Sequence, residues 1–248
     1  MNGGLVGRTA FITGAARGIG LAIAEALVAD GASVTLVDVD AATLQVAALE
    51  FGDQALAVTA DVRSLEDVQH AVELTVEHFG GLDILVNNAG ICSLTEIELI
   101  TEDEWDRMLD VNLKGAFFCC QAALPYLRQS GPAGRIVNMA SVAGQSGGVT
   151  VGVHYSASKA GLIGLSKSLA QMLAADGVTV NCVAPGTIAS DMTADWSEEI
   201  QAELIAAINL GRYGRPEEIA AAVHYLVSDA AAYVTGATID INGGLYYR

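Results

Sequence analysis

The chain has 248 residues, of which 29 are acidic and 12 are basic, and its formal net charge at pH 7 is −17. Because 52% of the residues are hydrophobic and only 17% are charged, the chain has enough apolar surface to offset its conformational entropy, which excludes an intrinsically disordered protein. Its acidity also argues against nucleic acid or an anionic membrane surface as a partner, since contacts with phosphates need clustered cations.

The numbers and spacing of cysteine and histidine residues further narrow the class of protein. The four cysteines form no C-x-x-C motif, and in a chain of this length they do not indicate a disulfide framework. The four histidines show no metal-ligand spacing, so we expect no metal site. The first residues contain no signal-peptide-like apolar run, and the longest uncharged run, 136–158, is too rich in Gly and Ser to span a membrane. These features predict a cytoplasmic protein.

Short apolar runs alternate with helix-length runs along the chain. The predicted strands are Arg8–Thr13, Ser33–Asp38, Ala55–Ala60, Asp83–Val86, Arg135–Met139, Val178–Ala184 and Thr238–Ile241. The predicted helices are Gly18–Asp30, a segment ending near Glu50, Ser64–Phe79, one long helix over Thr101–Gln129, Tyr155–Ala174, and segments near Ser197–Ile208 and Pro216–Ser228.

The strands are continuously apolar rather than alternating, which indicates burial on both faces of a parallel sheet. Strict alternation of strands and helices predicts an α/β protein with a single doubly wound parallel sheet of about seven strands and helices on both faces, a Rossmann fold. No linker or internal repeat interrupts the pattern, so residues 1–248 are expected to form one domain.

A glycine-rich turn joins the first strand to the first helix. Gly14 permits a tight turn, Gly18 lets the backbone approach a pyrophosphate, and Gly20 lets helix and strand pack closely. The helix then directs its free N–H groups at the phosphates. Such a turn alone is a weak signal, since it also occurs without a ligand, and its spacing here is G-x-x-x-G-x-G.

Asp38, at the end of the second strand, indicates which dinucleotide is bound. A carboxylate at that position can accept both adenosine ribose hydroxyls and would repel a 2′-phosphate. The next residue is Val39, and Arg17 in the turn is the one cation that could compensate such a phosphate. The pattern therefore favours NAD over NADP.

Tyr155 and Lys159 lie four residues apart at the start of a predicted helix and so share one face. A nearby ammonium favours tyrosinate and lowers the phenol pKa towards the range in which proton transfer is efficient. Taken alone the spacing is common on surface helices. Here the helix follows the fifth strand, whose carboxyl end carries Ser141, and ligands of such sheets bind at that edge.

At this point the sequence resembles the short-chain dehydrogenase/reductase family over nearly its whole length. The matching residues are Thr13-Gly14-x-x-x-Gly18-x-Gly20, Asp61-Val62, Asn87-Asn88-Ala89-Gly90, Asn112, Ser141, Tyr155-x-x-x-Lys159, Pro185-Gly186-Thr187-Ile188, Gly214-x-Pro216-Glu217-Glu218-Ile219-Ala220 and Asn242-Gly243-Gly244. Each motif is weak by itself, and the ordered set is specific.

The resemblance implies a role for each matching catalytic residue. Tyr155 would be the general acid/base, and Ser141 would polarise the reacting oxygen. Lys159 would bind the nicotinamide ribose and lower the Tyr155 pKa. Asn112 would hold a water that links Lys159 to a proton relay. The hydride chemistry would belong to the cofactor.

The resemblance also implies a dinucleotide-binding set. Asp61 and Val62 would hold adenine, Asn88, Ala89 and Gly90 would line the cofactor, and Ile188 would meet the carboxamide. Ser190 stands where the family usually has Thr. The full set expected at the cofactor is Gly14, Arg17, Gly18, Ile19, Gly20, Asp38, Asp61, Val62, Asn88, Ala89, Gly90, Tyr155, Lys159, Pro185, Gly186, Ile188 and Ser190.

Three segments are expected to wall the substrate pocket: Ile91–Ile97, Val142–His154 and Thr187–Gly211, with a small lid around 189–211. None contains Lys or Arg, whereas a carboxylate, phosphate or carrier-bound thioester usually requires a cation. We therefore expect a neutral secondary alcohol, polyol or sugar, or the matching ketone. Cys92 and His154 are candidate pocket residues.

Two alternatives remain. The first is a 3-oxoacyl-carrier-protein reductase; such proteins usually show Arg just before the Gly that opens the sixth strand, where this chain has Asp176 beside Gly177. The second, remote alternative is a catalytically idle NAD-binding interaction module.

Two features concern the pocket and the assembly. Fourteen positions separate Ser141 from Tyr155, one more than the family often has, and the extra residue is expected in the loop 144–148. The helices Thr101–Gln129 and Tyr155–Ala174 look too apolar for one buried face each, and with the C-terminal Tyr246-Tyr247-Arg248 they predict a homotetramer.

Overall fold

The computed structural model describes residues 4–148, 151–189 and 198–247. Seven parallel strands form one sheet in the order β3-β2-β1-β4-β5-β6-β7. This confirms the predicted doubly wound fold. The strands are β1 (Thr9–Thr13), β2 (Ser33–Asp38), β3 (Ala55–Thr59), β4 (Ile84–Asn87), β5 (Arg135–Met139), β6 (Thr179–Pro185) and β7 (Thr238–Ile241).

Helices cover both faces of the sheet, and a separate apolar core lies under each layer. One core joins the strands to α1, α2 and α9, and the other joins them to α3, α5 and α7. In the described part of the chain, no helix is long and apolar enough to cross a membrane. The helices are α1 (Gly18–Ala29), α2 (Ala41–Leu49), α3 (Leu65–Phe79), α4 (Glu102–Leu109), α5 (Gly115–Ser130), α6 (Ala143–Ser146), α7 (Val153–Leu173), α8 (Glu198–Ala207) and α9 (Pro216–Val227).

The single helix predicted over Thr101–Gln129 is interrupted. A π-helical turn, Asp110–Lys114, separates α4 from α5. Its wider turn contains Asn112, whose buried amide exchanges two hydrogen bonds with the backbone of Ile91. A buried amide must find hydrogen-bond partners. The apolar periodicity of the sequence cannot reveal this long-range pairing, so it predicted one continuous helix.

The loop expected to absorb the extra residue before Tyr155 begins as a short helix, α6. Gly147 and Gly148 then adopt positive φ angles of 89° and 63°. Both conformations favour glycine. Residues 149–150 of this segment lie outside the described residues, as do 190–197 of the expected lid.

The strand order reverses between β1 and β4, which lie side by side although β1 connects onward to β2. At such a switch point, the loops that follow the two strands diverge and leave a crevice at the carboxyl edge of the sheet. The turn after β1, the 88–97 segment after β4 and Ser141 after β5 all lie at this edge.

Candidate functional site

The turn after β1 is fastened to the end of β4. The Thr13 hydroxyl accepts hydrogen bonds from the backbone amides of Asn88 (3.1 Å) and Ala89 (3.0 Å). In return, the Asn88 side-chain amide donates to the carbonyls of Thr13 and Gly14, both at 3.0 Å. Gly14 has a φ of 65°. The structure thus joins two motifs that stand 74 positions apart, and Thr13, which the sequence analysis named only as part of its motif, holds them together.

The other two glycines of the turn differ in their surroundings. A Cβ at Gly20 would lie 2.1 Å from the Gly14 carbonyl oxygen and 2.6 Å from Asn88 Nδ2, so no side chain fits. At Gly18, φ is 59° and a Cβ would meet nothing within 4 Å. The helix α1 begins at Gly18, with Ile19 as its second residue, and the side chain of its N-cap residue, Arg17, makes no capping hydrogen bond. The first-turn amides are therefore available to an anion such as a pyrophosphate.

Two carboxylates gather beside this turn. Asp38 Oδ2 accepts a hydrogen bond from the Ala16 amide (3.2 Å), and its Oδ1 accepts one from the Asp40 amide (3.0 Å). Arg17, the cation expected to compete with Asp38, forms an ion pair with Asp40. Hydrogen bonds from Thr43, then Arg17, hold the pKa of Asp40 below its usual value. The guanidinium is thus already paired with a carboxylate.

The residues expected around the adenine lie further along the same edge. The Asp61 carboxylate is bound by the Arg63 side chain, with Nε to Oδ2 at 2.9 Å, and this contact is the largest cause that lowers the Asp61 pKa. Val62 packs against Gly115, where a Cβ would lie 2.8 Å from Val62 Cγ2. The Arg63 contact was not expected, and it leaves less of the Asp61 carboxylate free for a ligand.

The segment after β6 lies on the opposite side of the crevice. Pro185 ends the strand, and a Cβ at Gly186 would lie 2.9 Å from Asn242. Ile188 is buried and forms an isolated parallel bridge with Gly214. Ser190 lies outside the described residues.

Ser141, Tyr155 and Lys159 come together below the crevice. The Ser141 side chain lies close enough to the Tyr155 hydroxyl to lower its pKa, and Ser141 Oγ accepts a hydrogen bond from the Ala143 amide (3.1 Å). Lys159 is buried, donates to the Met139 carbonyl (2.8 Å), and has its Nζ 5.7 Å from the centroid of the Tyr155 ring.

Asn112 and Gly90 complete this cluster. A Cβ at Gly90 would lie 3.2 Å from Lys159 Nζ and 3.3 Å from Asn112 Oδ1, so the backbone there runs between the two side chains. Asn112 Nδ2 also donates to Ser158 Oγ (3.1 Å), which itself donates to the Tyr155 carbonyl (2.7 Å). Ser158 is a second residue that sequence reasoning missed, because a serine within a helix gives no signal.

Burial dominates the ionisation of the two titratable groups. It raises the pKa of Tyr155 to about 12, and the neighbouring Ser141 side chain offsets this only in part. Burial lowers the pKa of Lys159 to about 8. The resemblance implied that Lys159 lowers the Tyr155 pKa; in this structure burial is the largest contribution, and it acts in the upward direction. At neutral pH the phenol is protonated and suited to donate.

The buried Lys159 ammonium should reduce stability. Below pH 8 the folded protein must keep a charge in a desolvated place, so Lys159→Met is expected to raise the free energy of unfolding at pH 7 by about 1–3 kcal/mol. Because the unfolded lysine holds its proton to a higher pH than the folded one, the contribution of Lys159 to wild-type stability should rise between about pH 8 and 10, against the fall that the four cysteines with raised pKa values cause in the same range. Lys159→Met should lose that rise.

Denaturant unfolding at pH 7, 8, 9 and 10 measures both effects. Lys167→Met, at an exposed position of the same helix, is the matched control and should keep the pH dependence of the wild type. An equal change in stability from pH 8 to pH 10 in wild type and in Lys159→Met would contradict a lowered pKa for Lys159.

The two candidate pocket residues, Cys92 and His154, lie in different surroundings. Cys92 is half-buried; burial raises its thiol pKa, whereas Lys159 lowers it, so the thiol lies within electrostatic reach of the cluster. His154 is fully buried and faces α4. Among the described residues, no group of three or more His, Cys, Asp or Glu side chains could hold a metal ion.

Comparison with known proteins identifies the class of enzyme. The family model described as enoyl-(acyl carrier protein) reductase matches residues 14–246. The 3-oxoacyl-[acyl-carrier-protein] reductase FabG of Staphylococcus aureus is 43% identical over 244 residues, which cover 96% of this chain and 98% of the relative. The 3-oxoacyl-[acyl-carrier-protein] reductase of Synechocystis is 41% identical over 247 residues, 97% of this chain and 98% of that one.

A solved structure agrees with these relatives. The crystal structure of a short-chain dehydrogenase/reductase from Brucella melitensis, described as a glucose/ribitol dehydrogenase, is 36% identical and has a TM-score of 0.91, with 100% of each chain covered. Fold, site and relatives together define an oxidoreductase that acts on CH–OH and ketone groups. The chain belongs to the short-chain dehydrogenase/reductase family.

Proposed function

We propose that the protein interconverts a ketone and a secondary alcohol, with Tyr155 as the general acid/base. The observation that carries this proposal is the placement of Ser141 and the buried Lys159 on either side of a protonated Tyr155. In the reductive direction Tyr155 donates its proton to the carbonyl oxygen. Ser141 donates a hydrogen bond to the same oxygen and stabilises the charge that develops there.

The surrounding residues fit a nicotinamide dinucleotide. The uncapped first turn of α1 and the open space at Gly18 match a pyrophosphate, and Asp38 matches the adenosine ribose. A bound nicotinamide would supply or accept the hydride. Lys159 would hold the nicotinamide ribose, and Asn112 would position a water that returns protons from solvent.

The acidic end of the cleft supports NAD as the cofactor. Asp38 would face the ribose 2′-hydroxyl, and the Arg17 guanidinium is already engaged by Asp40. A 2′-phosphate there would meet two carboxylates and a neutralised cation. NAD(H) is therefore the form that this site should prefer.

Asp38→Asn should weaken NAD binding about tenfold or more, because a neutral amide replaces a charged acceptor of two ribose hydroxyls. Asp40→Asn should instead leave NAD affinity nearly unchanged and tighten NADP binding several-fold, because it releases Arg17 for the phosphate. Calorimetric titration with NAD and NADP measures both affinities without any substrate.

Asp53→Asn, which removes an exposed carboxylate between α2 and β3, is the control for net charge. It should alter neither affinity more than twofold. A wild-type protein that binds NADP more tightly than NAD, with the ratio unmoved by Asp38→Asn, would contradict the proposal.

For the substrate, the relatives favour a 3-oxoacyl thioester over the neutral polyol or sugar that the sequence analysis preferred. Two relatives above 40% identity, each matched over nearly its whole length, carry the name 3-oxoacyl-[acyl-carrier-protein] reductase. We take reduction of a 3-oxoacyl group to the 3-hydroxyacyl group as the first candidate reaction. The protonated state of Tyr155 suits this direction.

A small neutral ketone or alcohol is the second candidate, and surface charge favours it. Asp176 stands where carrier-protein reductases usually have Arg, and it binds Arg128 with Nε to Oδ2 at 2.9 Å. This ion pair removes a cation that an acidic carrier could use. The three pocket-wall segments also lack Lys and Arg.

One experiment separates the two candidates. The same acetoacetyl group is offered on acyl carrier protein, on coenzyme A, and on the uncharged N-acetylcysteamine, alongside a panel of polyols and secondary alcohols. The first candidate predicts the highest kcat/KM with the carrier protein. The second predicts that the uncharged thioester or a neutral alcohol is at least as good. Failure of every carbonyl and alcohol would contradict the reaction class.

A homotetramer remains our proposal for the assembly. An open groove of about 580 Å³ lies between the α4–α5 face and α7, is lined partly by Leu109, Leu113 and Leu165, and has the half-exposed Phe117 on its wall. At the C-terminal end, Tyr247 is 73% exposed and accepts a hydrogen bond from Asn209. Arg248 lies outside the described residues. Light scattering should give four times the chain mass; a stable monomer would contradict the proposal.

A further inference from the structure

His154, directly before Tyr155, is a fully buried histidine that the proposed mechanism does not use. Its ring stacks on Trp105 of α4, with centroids 6.3 Å apart and planes at 20°. Its Nε2 lies 3.2 Å from Glu104 Oε1. Neither ring nitrogen has a well-aligned hydrogen-bond partner among the described residues. Because a buried polar group needs compensation, the imidazole depends on the Glu104 carboxylate.

Glu104 also binds the segment that follows β4. Its Oε1 accepts hydrogen bonds from Ser93 Oγ and Thr95 Oγ1, each at 2.7 Å. These two bonds, with His154 as a further contributor, hold the pKa of Glu104 below its usual value. Glu104 also lies in the first turn of α4, where the helix dipole favours a negative charge. The ionised Glu104 Oε1, carried by α4, therefore contacts both the segment after β4 and His154 at the start of α7.

Further hydrogen bonds hold the backbone of the same segment, which follows β4. Ile91 is held through its amide and carbonyl by Asn112. The Ser93 carbonyl accepts a hydrogen bond from the Gly152 amide (2.8 Å), just before α7. A Cβ at Gly152 would lie 2.5 Å from His154 Cε1, so glycine is required for the imidazole to take this place. The 91–95 backbone is thus tied to the helices that carry Asn112 and Tyr155.

We propose that Glu104 and His154 act together as positioning residues that hold segment 91–97 against the first turn of α7 and so set the width of the substrate pocket beside Tyr155. The inference rests on the proposed function, because it treats this segment as a pocket wall. Neither side chain touches the reacting atoms. Their loss should therefore weaken capture of the ketone more than it slows proton transfer.

The first test needs no substrate. Hydrogen exchange of the 91–97 amides is compared in wild type, Glu104→Ala, Glu104→Gln, His154→Phe and Asp103→Asn. His154→Phe keeps an aromatic ring against Trp105 and removes both nitrogens, and Asp103→Asn removes a charge from the same helical turn. Exchange should accelerate about tenfold or more in Glu104→Ala and His154→Phe, and stay unchanged in Asp103→Asn. Unchanged exchange in Glu104→Ala would overturn the inference.

The second test is kinetic. Glu104→Ala and His154→Phe should each raise the KM for the ketone about tenfold, with kcat within threefold and dinucleotide affinity unchanged. Glu104→Gln keeps an acceptor oxygen and should recover most of the loss; if Glu104→Ala does not fold, His154→Phe is the loss variant that decides the test. The double variant should lose no more than the worse single one, because the two residues act as a unit.

Losses that multiply in the double variant, or a fall in kcat at constant KM, would overturn the inference. A wild-type protein without turnover on any ketone or alcohol would count against the proposed function instead. In that case the exchange measurement still decides whether Glu104 and His154 hold the segment.

Discussion

Replacing Tyr155 by Phe should lower kcat by about 10³ while dinucleotide affinity stays within threefold of wild type. The substitution removes one hydroxyl and keeps the ring beside Lys159, so it deletes the proton donor with little change in packing. Proton transfer by a positioned side chain contributes about 10²–10⁴ to a rate. Steady-state kinetics on the best ketone, with calorimetric titration of NAD, measure the two effects separately.

The same variant distinguishes an enzyme from an idle dinucleotide-binding module. Tyr225→Phe, which removes a partly exposed hydroxyl on α9, is the matched control and should keep full activity. If Tyr155→Phe retained a tenth or more of the wild-type rate, another group would be the proton donor and the assignment of Tyr155 would be wrong. Loss of dinucleotide affinity to the same extent as kcat would mean that the hydroxyl serves binding.

The part of the molecule that local sequence determines was predicted well. The seven strands appear where continuous apolar runs predict them, with bounds that differ by at most one residue at either end. The doubly wound arrangement follows from connection rules that need no knowledge of side-chain contacts. The glycine-rich turn with Gly14, Gly18 and Gly20 can be recognised in the sequence, because backbone conformation or close packing restricts the residue type at these positions.

Long-range pairing accounts for what the sequence did not show. The π-helical turn depends on Asn112 meeting Ile91, and the state of Arg17 depends on which carboxylate lies nearest in space. The burial that raises the pKa of Tyr155 was not foreseen, because a four-residue spacing indicates a shared helix face but not burial. Spacing likewise cannot reveal that the buried His154 faces Glu104.

Gly20→Ala should destabilise the fold itself, by about 3 kcal/mol or more. The added methyl group would stand 2.1 Å from the Gly14 carbonyl and 2.6 Å from Asn88 Nδ2. Both neighbours are fixed, since Asn88 bridges the turn to β4 through the Thr13 and Gly14 carbonyls. The clash can be relieved only if α1 moves away from the sheet and opens one apolar core. Urea unfolding measures the loss.

Gly18→Ala supplies the contrast that shows why the turn carries both glycines. No atom would meet the new methyl group within 4 Å, so the cost to folding is confined to the φ of 59°, about 1 kcal/mol. That open space is where a pyrophosphate would approach, so dinucleotide affinity should fall about tenfold or more. Gly81→Ala, at an open position without a positive φ, should change neither property. If Gly18→Ala bound NAD as tightly as wild type, the phosphates would lie elsewhere. In that case the role assigned to the uncapped first turn of α1 would fail with it.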